Sequence, residues 1–155
     1  MRDEDNTRFQ GYRFGVLSVQ MALTKSQLLL KSMDDFYSVP ENANIFTDIV
    51  TGTKGGVSLR SIERFITSYS KNTNFCFKTS GGLSFPVHLK YKSTLDGYSK
   101  KLFDPFARYE RIEYTIPATG KKVMTTVAQL NFLRWAIKNG IVNYIQENPS
   151  ITKCS

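Results

Sequence analysis

Residues 111–138 read RIEYTIPATGKKVMTTVAQLNFLRWAIK, and this stretch carries the signals of both a β-hairpin and an α-helix. In its first half, Ile112, Tyr114 and Ile116 alternate with more polar neighbours, which is the period of a half-buried strand. Residues 117–120 contain a proline and a glycine and predict a turn. The segment after this turn is predicted to pair back on the first strand.

The second half of the stretch predicts a helix from Thr126 to Lys138. Thr126 and Gln129 have the spacing of a capping box at a helix start, and Asn139-Gly140 is a good C-terminal stop. The apolar residues that repeat at helical spacing predict one inward face, made of Leu130, Leu133 and Ile137. A hairpin followed by a helix favours the α+β class.

The remaining segments extend this α+β pattern. Further helices are predicted over residues 23–37, 44–50, 58–69 and 141–147, and further strands over residues 75–78 and 85–92. We therefore predict a single domain in which several helices frame one small antiparallel sheet, with residues 93–110 as a long insertion between its strands. The predicted core includes Leu59, Ile62, Phe65, Leu130, Leu133 and Ile137.

The two ends of the chain are polar and lack a sustained hydrophobic period. We expect residues 1–20 to form a flexible arm, residues 21–148 the domain, and residues 149–155 a flexible tail. Cys76 lies between two phenylalanines and is expected to be a buried thiol, whereas Cys154 lies in the tail. No apolar run approaches the roughly 20 residues of a membrane span, so we expect a soluble protein from a reducing compartment and no membrane insertion.

The composition argues against most catalytic and metal-binding sites. One histidine and two cysteines exclude a Cys/His zinc site, a disulfide scaffold and a haem-attachment motif. The single imidazole, His88, falls on the polar side of the predicted strand and is expected to be a surface residue rather than a base. The glycine-rich segment 52–58 lacks the Gly-Lys-Ser/Thr order of a phosphate-binding P-loop. We expect no enzymatic activity, no metal and no cofactor.

The positive charge is concentrated in one part of the chain. The formal net charge is +8, yet residues 1–57 hold six bases and seven acids, whereas residues 58–155 hold fifteen bases and six acids. This asymmetry is typical of a surface that faces a polyanion. Ordinary solubilising charge is the alternative explanation.

The predicted insertion and its flanks interleave bases with aromatic residues. This composition is typical of surfaces that bind single-stranded nucleic acid, where bases contact phosphates and aromatic rings stack on nucleobases. For two further residues, Phe103 and Phe106, the ordinary explanation is that they anchor the long loop, with Asp104-Pro105 making the turn between them. The candidate nucleic-acid-binding residues are Lys90, Lys92, Tyr98, Lys100, Lys101, Arg108, Tyr109 and Arg111.

Four segments together carry a family resemblance. They are Leu28-Leu29-Leu30, Asp35-Phe36-Tyr37, Phe103-Asp104-Pro105-Phe106 with Arg108, and TTVAQLNF at residues 125–132 with Arg134-Trp135-Ala136. Over about residues 25–148 the chain resembles a small conserved protein of nucleocytoplasmic large DNA viruses, such as iridoviruses and their giant relatives. The resemblance implies a viral context, and it brings no active site with it.

Two functions follow as hypotheses. The first is a non-catalytic basic binding module of a large DNA virus that associates with nucleic acid. The second is a minor virion structural or assembly protein that bridges other viral proteins, because interfaces also use exposed aromatic residues and arginine. The expected partner is viral DNA or RNA, or an acidic viral protein. The resemblance implies a location in viral factories of the host cytoplasm, with the virion as a second location.

Overall fold

The computed structural model describes residues 24–53, 57–78 and 81–148. The chain divides into two compact units, residues 1–32 and residues 33–155. All contacts described below lie within the second unit. The arm predicted for residues 1–20 and the tail predicted for residues 149–155 lie outside the described residues.

Helices form most of the described structure. The helices are α1 (Lys25–Tyr37), α2 (Pro40–Thr51), α3 (Leu59–Arg64), α4 (Ser70–Thr73), α5 (Val87–Tyr98), α6 (Val127–Lys138) and α7 (Ile141–Glu147), and one π-helical turn (Phe65–Tyr69) joins α3 to α4. The strands are β1 (Cys76–Lys78), β2 (Ser84–Pro86), β3 (Ile112–Thr115) and β4 (Lys122–Thr125). The predicted α+β class is confirmed.

The strands form two separate antiparallel hairpins. In the first, β1 pairs with β2 so that Phe77 lies opposite Phe85. In the second, β3 pairs with β4 so that Tyr114 lies opposite Val123. The prediction of one small sheet is therefore wrong in this respect, because the described strands make two two-stranded sheets.

The largest error concerns the strand predicted over residues 85–92. In the structure, strand β2 ends at Pro86 and the following residues form helix α5. Val87 and Tyr91 also stand one helical turn apart, and both turn inward on the helix. Tyr91 packs on Phe103 and Trp135, with ring centroids 6.0 and 6.2 Å away. The alternation that favoured a strand required an inward Leu89, which is 68% exposed.

Side-chain caps begin two helices. The capping box predicted at Thr126 and Gln129 forms only in part, because the Gln129 side chain bonds to Thr125 and to the Pro105 carbonyl oxygen instead of the Thr126 amide. Ser58 precedes α3, and its hydroxyl accepts from the amide of Ser61 while the Ser61 hydroxyl accepts from the amide of Ser58. Thr126 precedes α6, and its hydroxyl accepts from the amide of Gln129. These bonds satisfy amide groups that the first turn of a helix leaves without a helical partner.

The predicted core is largely confirmed. Ile62, Phe65, Leu130 and Leu133 are buried, whereas Leu59 and Ile137 are half-buried. One prediction about the interior is wrong, because Cys76 is an exposed free thiol. It projects from β1 on the opposite side from its half-buried neighbours Phe75 and Phe77, as alternation along a strand requires.

Two buried tyrosines donate hydrogen bonds. The Tyr37 hydroxyl donates to the Leu130 carbonyl oxygen at 2.9 Å, and the Tyr114 hydroxyl donates to the Asp34 carboxylate at 2.9 Å. Burial raises the pKa of Tyr37 well above its ordinary value, with a smaller contribution from Tyr114. Burial and the bond to Asp34 raise the pKa of Tyr114. Both phenols therefore remain protonated donors at neutral pH.

We expect Leu133→Ala to lower the free energy of unfolding by about 2–5 kcal/mol, because the substitution leaves a cavity in the core. Leu89→Ala removes the same atoms from an exposed site and is expected to change the free energy of unfolding by less than about 0.5 kcal/mol. Urea unfolding of both variants checks the pair. Equal losses would contradict the assignment of the inward faces of α5 and α6.

Candidate nucleic-acid interface

The loop of residues 99–111 is anchored on helix α6. The Asn131 side-chain amide donates to the Leu102 carbonyl oxygen at 2.8 Å. The Gln129 side-chain amide donates to the Pro105 carbonyl oxygen at 3.0 Å. Because Asn131 is buried, this bond satisfies polar groups that would otherwise destabilise the interior.

Phe103 is the apolar anchor of this loop. Its ring is 1% exposed and lies 5.4 Å from the Phe132 ring and 5.8 Å from the Trp135 ring, between centroids. The anchoring expectation is confirmed for Phe103 but is wrong for Phe106, which is 45% exposed. The predicted turn between them is present, because the Phe106 amide donates to the Asp104 carboxylate at 3.0 Å.

The two candidate stacking residues have different environments. Tyr98 lies on the inward side of α5 and is half-buried, with its ring stacked on Phe103 at a centroid distance of 6.1 Å. Tyr109 is 89% exposed. Tyr98 therefore contributes to the packing of the loop, whereas Tyr109 presents almost its whole ring to solvent.

The six candidate cations are all exposed, but they do not share the arrangement that a strand would give. Lys90 and Lys92 lie on α5, where positions two residues apart point about 200° apart around the axis. The predicted strand over residues 85–92 would place them on one side, and the helix does not. Lys100 and Lys101 lie in the turn that follows α5, and Arg108 lies on the loop before β3.

Arg111 lies at the end of the anchored loop. It lines a small cleft of about 170 Å³ together with Met124 of β4 and Gln129 of α6. The preceding residue, Glu110, has φ +55°, a left-handed conformation that few non-glycine residues adopt. The backbone therefore turns sharply at Glu110, between Tyr109 and Arg111.

The only histidine has a structural contact that the sequence did not predict. His88 is half-buried on α5, and its Nδ1 lies 3.3 Å from the Ile66 carbonyl oxygen. The Ser70 hydroxyl donates to the same carbonyl. Since a π-helical turn leaves carbonyl groups without their usual α-helical partners, these side chains serve the fold.

A second surface with aromatic and basic residues lies at the other end of α6. It is a cleft of about 430 Å³, lined by the β1–β2 hairpin, the end of α6 and helix α7. We call it the aromatic cleft. Its side chains include Phe77, Lys78, Phe85, Lys138, Asn143, Tyr144 and Glu147.

Sequence reasoning missed the aromatic cleft. The spacing of Phe75 and Phe77 and the later Phe85 indicated strands, and nothing in the sequence joined them to Tyr144, which lies about sixty residues further along. In the structure, the ring centroids of Phe77 and Tyr144 are 5.9 Å apart. Burial, followed by the nearby Tyr69, raises the pKa of Tyr144, so its phenol is uncharged at neutral pH.

A family model matches residues 16–154, which is most of the chain. The chain belongs to DUF7197, a family of unknown function. It is also similar to "Uncharacterized protein L507" of Acanthamoeba polyphaga mimivirus, at 38% identity over 105 residues. That match covers 63% of this chain and 40% of the relative, so the chain corresponds to less than half of the relative's length. The resemblance to an uncharacterised giant-virus protein is thereby confirmed.

This DUF7197 member matches no solved structure. Among its described residues, no three histidine, cysteine or acidic side chains come together as a possible metal site. In the same part of the chain, no helix combines the length and the hydropathy needed to cross a membrane.

We expect Asn131→Ala to destabilise the DUF7197 fold by about 1–3 kcal/mol, because the Leu102 carbonyl oxygen loses its donor inside the protein. The amides of residues 99–111 should then exchange with solvent faster than in the wild type, and this acceleration should exceed that of the β3–β4 hairpin. Hydrogen-exchange mass spectrometry measures both. Unchanged exchange in the loop would contradict its anchoring by Asn131.

Proposed function

We propose that this protein is a non-catalytic module that binds nucleic acid in the context of a giant virus. The observation that carries the proposal is Tyr109, an aromatic ring 89% exposed on an anchored loop between two exposed arginines. Arg108 precedes it and Arg111 follows two residues later. This arrangement combines a stacking surface with cations that can contact neighbouring phosphates.

The distribution of charge supports the same function. Residues 58–155 hold nine more bases than acids, and twelve of the bases in the described part of this range are exposed. Exposed cations attract a polyanion over a distance and release its counterions on contact. Binding by this surface is therefore expected to depend strongly on salt.

An assembly role is the second candidate function, supported by exposed apolar side chains. Leu89 is 68% exposed on α5, and Phe106 is exposed on the loop. Apolar and aromatic side chains of this kind form the centres of protein interfaces. A protein partner held by such contacts should be less sensitive to salt than nucleic acid.

We expect the double variant Lys100→Ala/Lys101→Ala to weaken binding to DNA and RNA at all sequences. Each lost phosphate contact should reduce the slope of log affinity against log salt by about 0.7–0.9. Fluorescence anisotropy with labelled single and double strands of DNA and RNA, at two salt concentrations, measures both quantities.

The matched control is Lys121→Ala/Lys122→Ala, which removes the same charge from an exposed pair at the far end of the β3–β4 hairpin from Arg111. We expect it to have a smaller effect. Equal losses from both pairs would overturn the assignment of the loop as the binding surface. Wild-type protein that binds none of the four nucleic acids at low salt would overturn the proposed function.

Tyr109→Ala is expected to weaken single-strand binding by about 1–3 kcal/mol, and duplex binding by less, because paired bases do not offer a free face. Tyr109→Phe keeps the ring and should bind like the wild type. The residue is exposed, so neither change should alter thermal unfolding. Equal affinities for the alanine and phenylalanine variants would exclude stacking at this position.

A further inference from the structure

We propose that the aromatic cleft binds a nucleobase of a single-stranded nucleic acid, with the adjoining phosphates against its lysines. This inference rests on the proposed function and adds a second, distinct contact site. The cleft volume of about 430 Å³ lies in the range of small-molecule sites, about 300–1,000 Å³.

The ring geometry provides a stacking platform. Phe77 and Phe85 are cross-strand partners, and their rings are nearly parallel, with an interplanar angle of 10° and centroids 5.6 Å apart. Tyr144 stands beside Phe77 at an interplanar angle of 41°. All three side chains are half-buried, so the protein fixes each ring while part of it remains accessible.

The platform is held from behind by other rings. Phe75 lies 4.9 Å from Tyr144 between centroids, and Trp135 lies 6.4 Å from Phe85. Packing of this kind restricts ring rotation before any ligand arrives. A restricted aromatic surface loses less conformational entropy when a base stacks on it.

The polar lining suits a nucleotide rather than an apolar peptide. Lys78 follows Phe77 in β1, and Lys138 ends α6, and both are exposed. The exposed Asn143 offers an amide that can both donate to and accept from a base edge. Glu147 is an acid in the same lining, so the two lysines leave a net positive charge.

The aromatic rings of the cleft favour an unpaired strand as the ligand. Stacking on side chains requires a free base face, which a duplex does not offer. Contact with single strands through rings and backbone charge tolerates many sequences. The cleft is therefore expected to prefer single strands over duplexes with little dependence on base identity.

The test compares Phe77→Leu with Phe77→Tyr in the full chain, using labelled oligonucleotides of about 4 to 16 nucleotides, the site sizes found in single-strand binders. Phe77→Leu keeps an apolar side chain without a ring and should weaken single-strand binding about 5- to 100-fold. Phe77→Tyr keeps the ring and should remain within about twofold of the wild type. A free mononucleotide, titrated in parallel, should bind far more weakly than the strand.

Two further measurements keep the proposal testable if Phe77→Leu folds poorly. Lys138→Ala should reduce the salt slope by about 0.7, and Lys138→Arg should restore it. Photo-crosslinking of a 5-bromouracil single strand, followed by peptide mass spectrometry, should label Phe77, Phe85 or Tyr144. Crosslinks only elsewhere, together with a Lys138→Ala variant whose salt slope equals that of the wild type, would overturn the cleft as a site.

The outcomes separate this inference from the proposed function. If the wild type and the cleft variants bind single strands equally well, the cleft is not a binding site, and the proposed function is unaffected. A mononucleotide that binds as tightly as the strand would show a free-nucleotide site and overturn the inference as stated. Absence of binding to any nucleic acid at low salt would overturn both.

Discussion

The rest of the described structure depends on the burial of helix α6. Its buried residues point in several directions around the axis, namely Ala128, Leu130, Asn131, Phe132, Leu133 and Ala136, and a helix enclosed in this way must be surrounded by the rest of the fold. Enclosure also means that its polar groups must find partners inside the protein. The Leu130 carbonyl oxygen accepts from Tyr37, and Asn131 donates to the loop at Leu102. One helix thus fixes both the position of Tyr37 and the path of a loop thirty residues earlier in the chain.

This enclosed helix also relates the two candidate surfaces to each other. Gln129, near its start, lines the small cleft with Arg111, and Lys138, at its end, lines the aromatic cleft. Twelve helical residues span about 18 Å. A single strand that contacts both ends of α6 would need several nucleotides to cover this distance. A short oligonucleotide therefore reports on one of the two surfaces, and a longer one can report on both.

The fold class, helices α3 and α6 and most of the predicted core could be derived from the sequence because they depend on local periodicity. The error over residues 85–92 has a physical reason, since alternation of Phe85, Val87, Leu89 and Tyr91 also places Val87 and Tyr91 one helical turn apart. Tertiary contacts decide between the two patterns. Here Tyr91 packs on Phe103 and Trp135, and helix α5 is the conformation that directs it there while Leu89 remains in solvent.

The candidate sites were harder to predict, because composition does not separate aromatic rings that build the core from rings that are available to a ligand. Lysines are at the surface in almost any fold, so the exposure of Lys100 or Lys101 discriminates little between functions. Rings carry more information, because leaving a large apolar side chain in water forgoes roughly 1.5–3 kcal/mol of burial. The rings around the predicted insertion differ in burial: Phe103 and Tyr98 pack inside, and Tyr109 does not. The rings of the aromatic cleft come from β1, β2 and α7, and only the packing of those elements around α6 brings them together. Ligand binding is therefore expected where the fold leaves aromatic surface open beside positive charge.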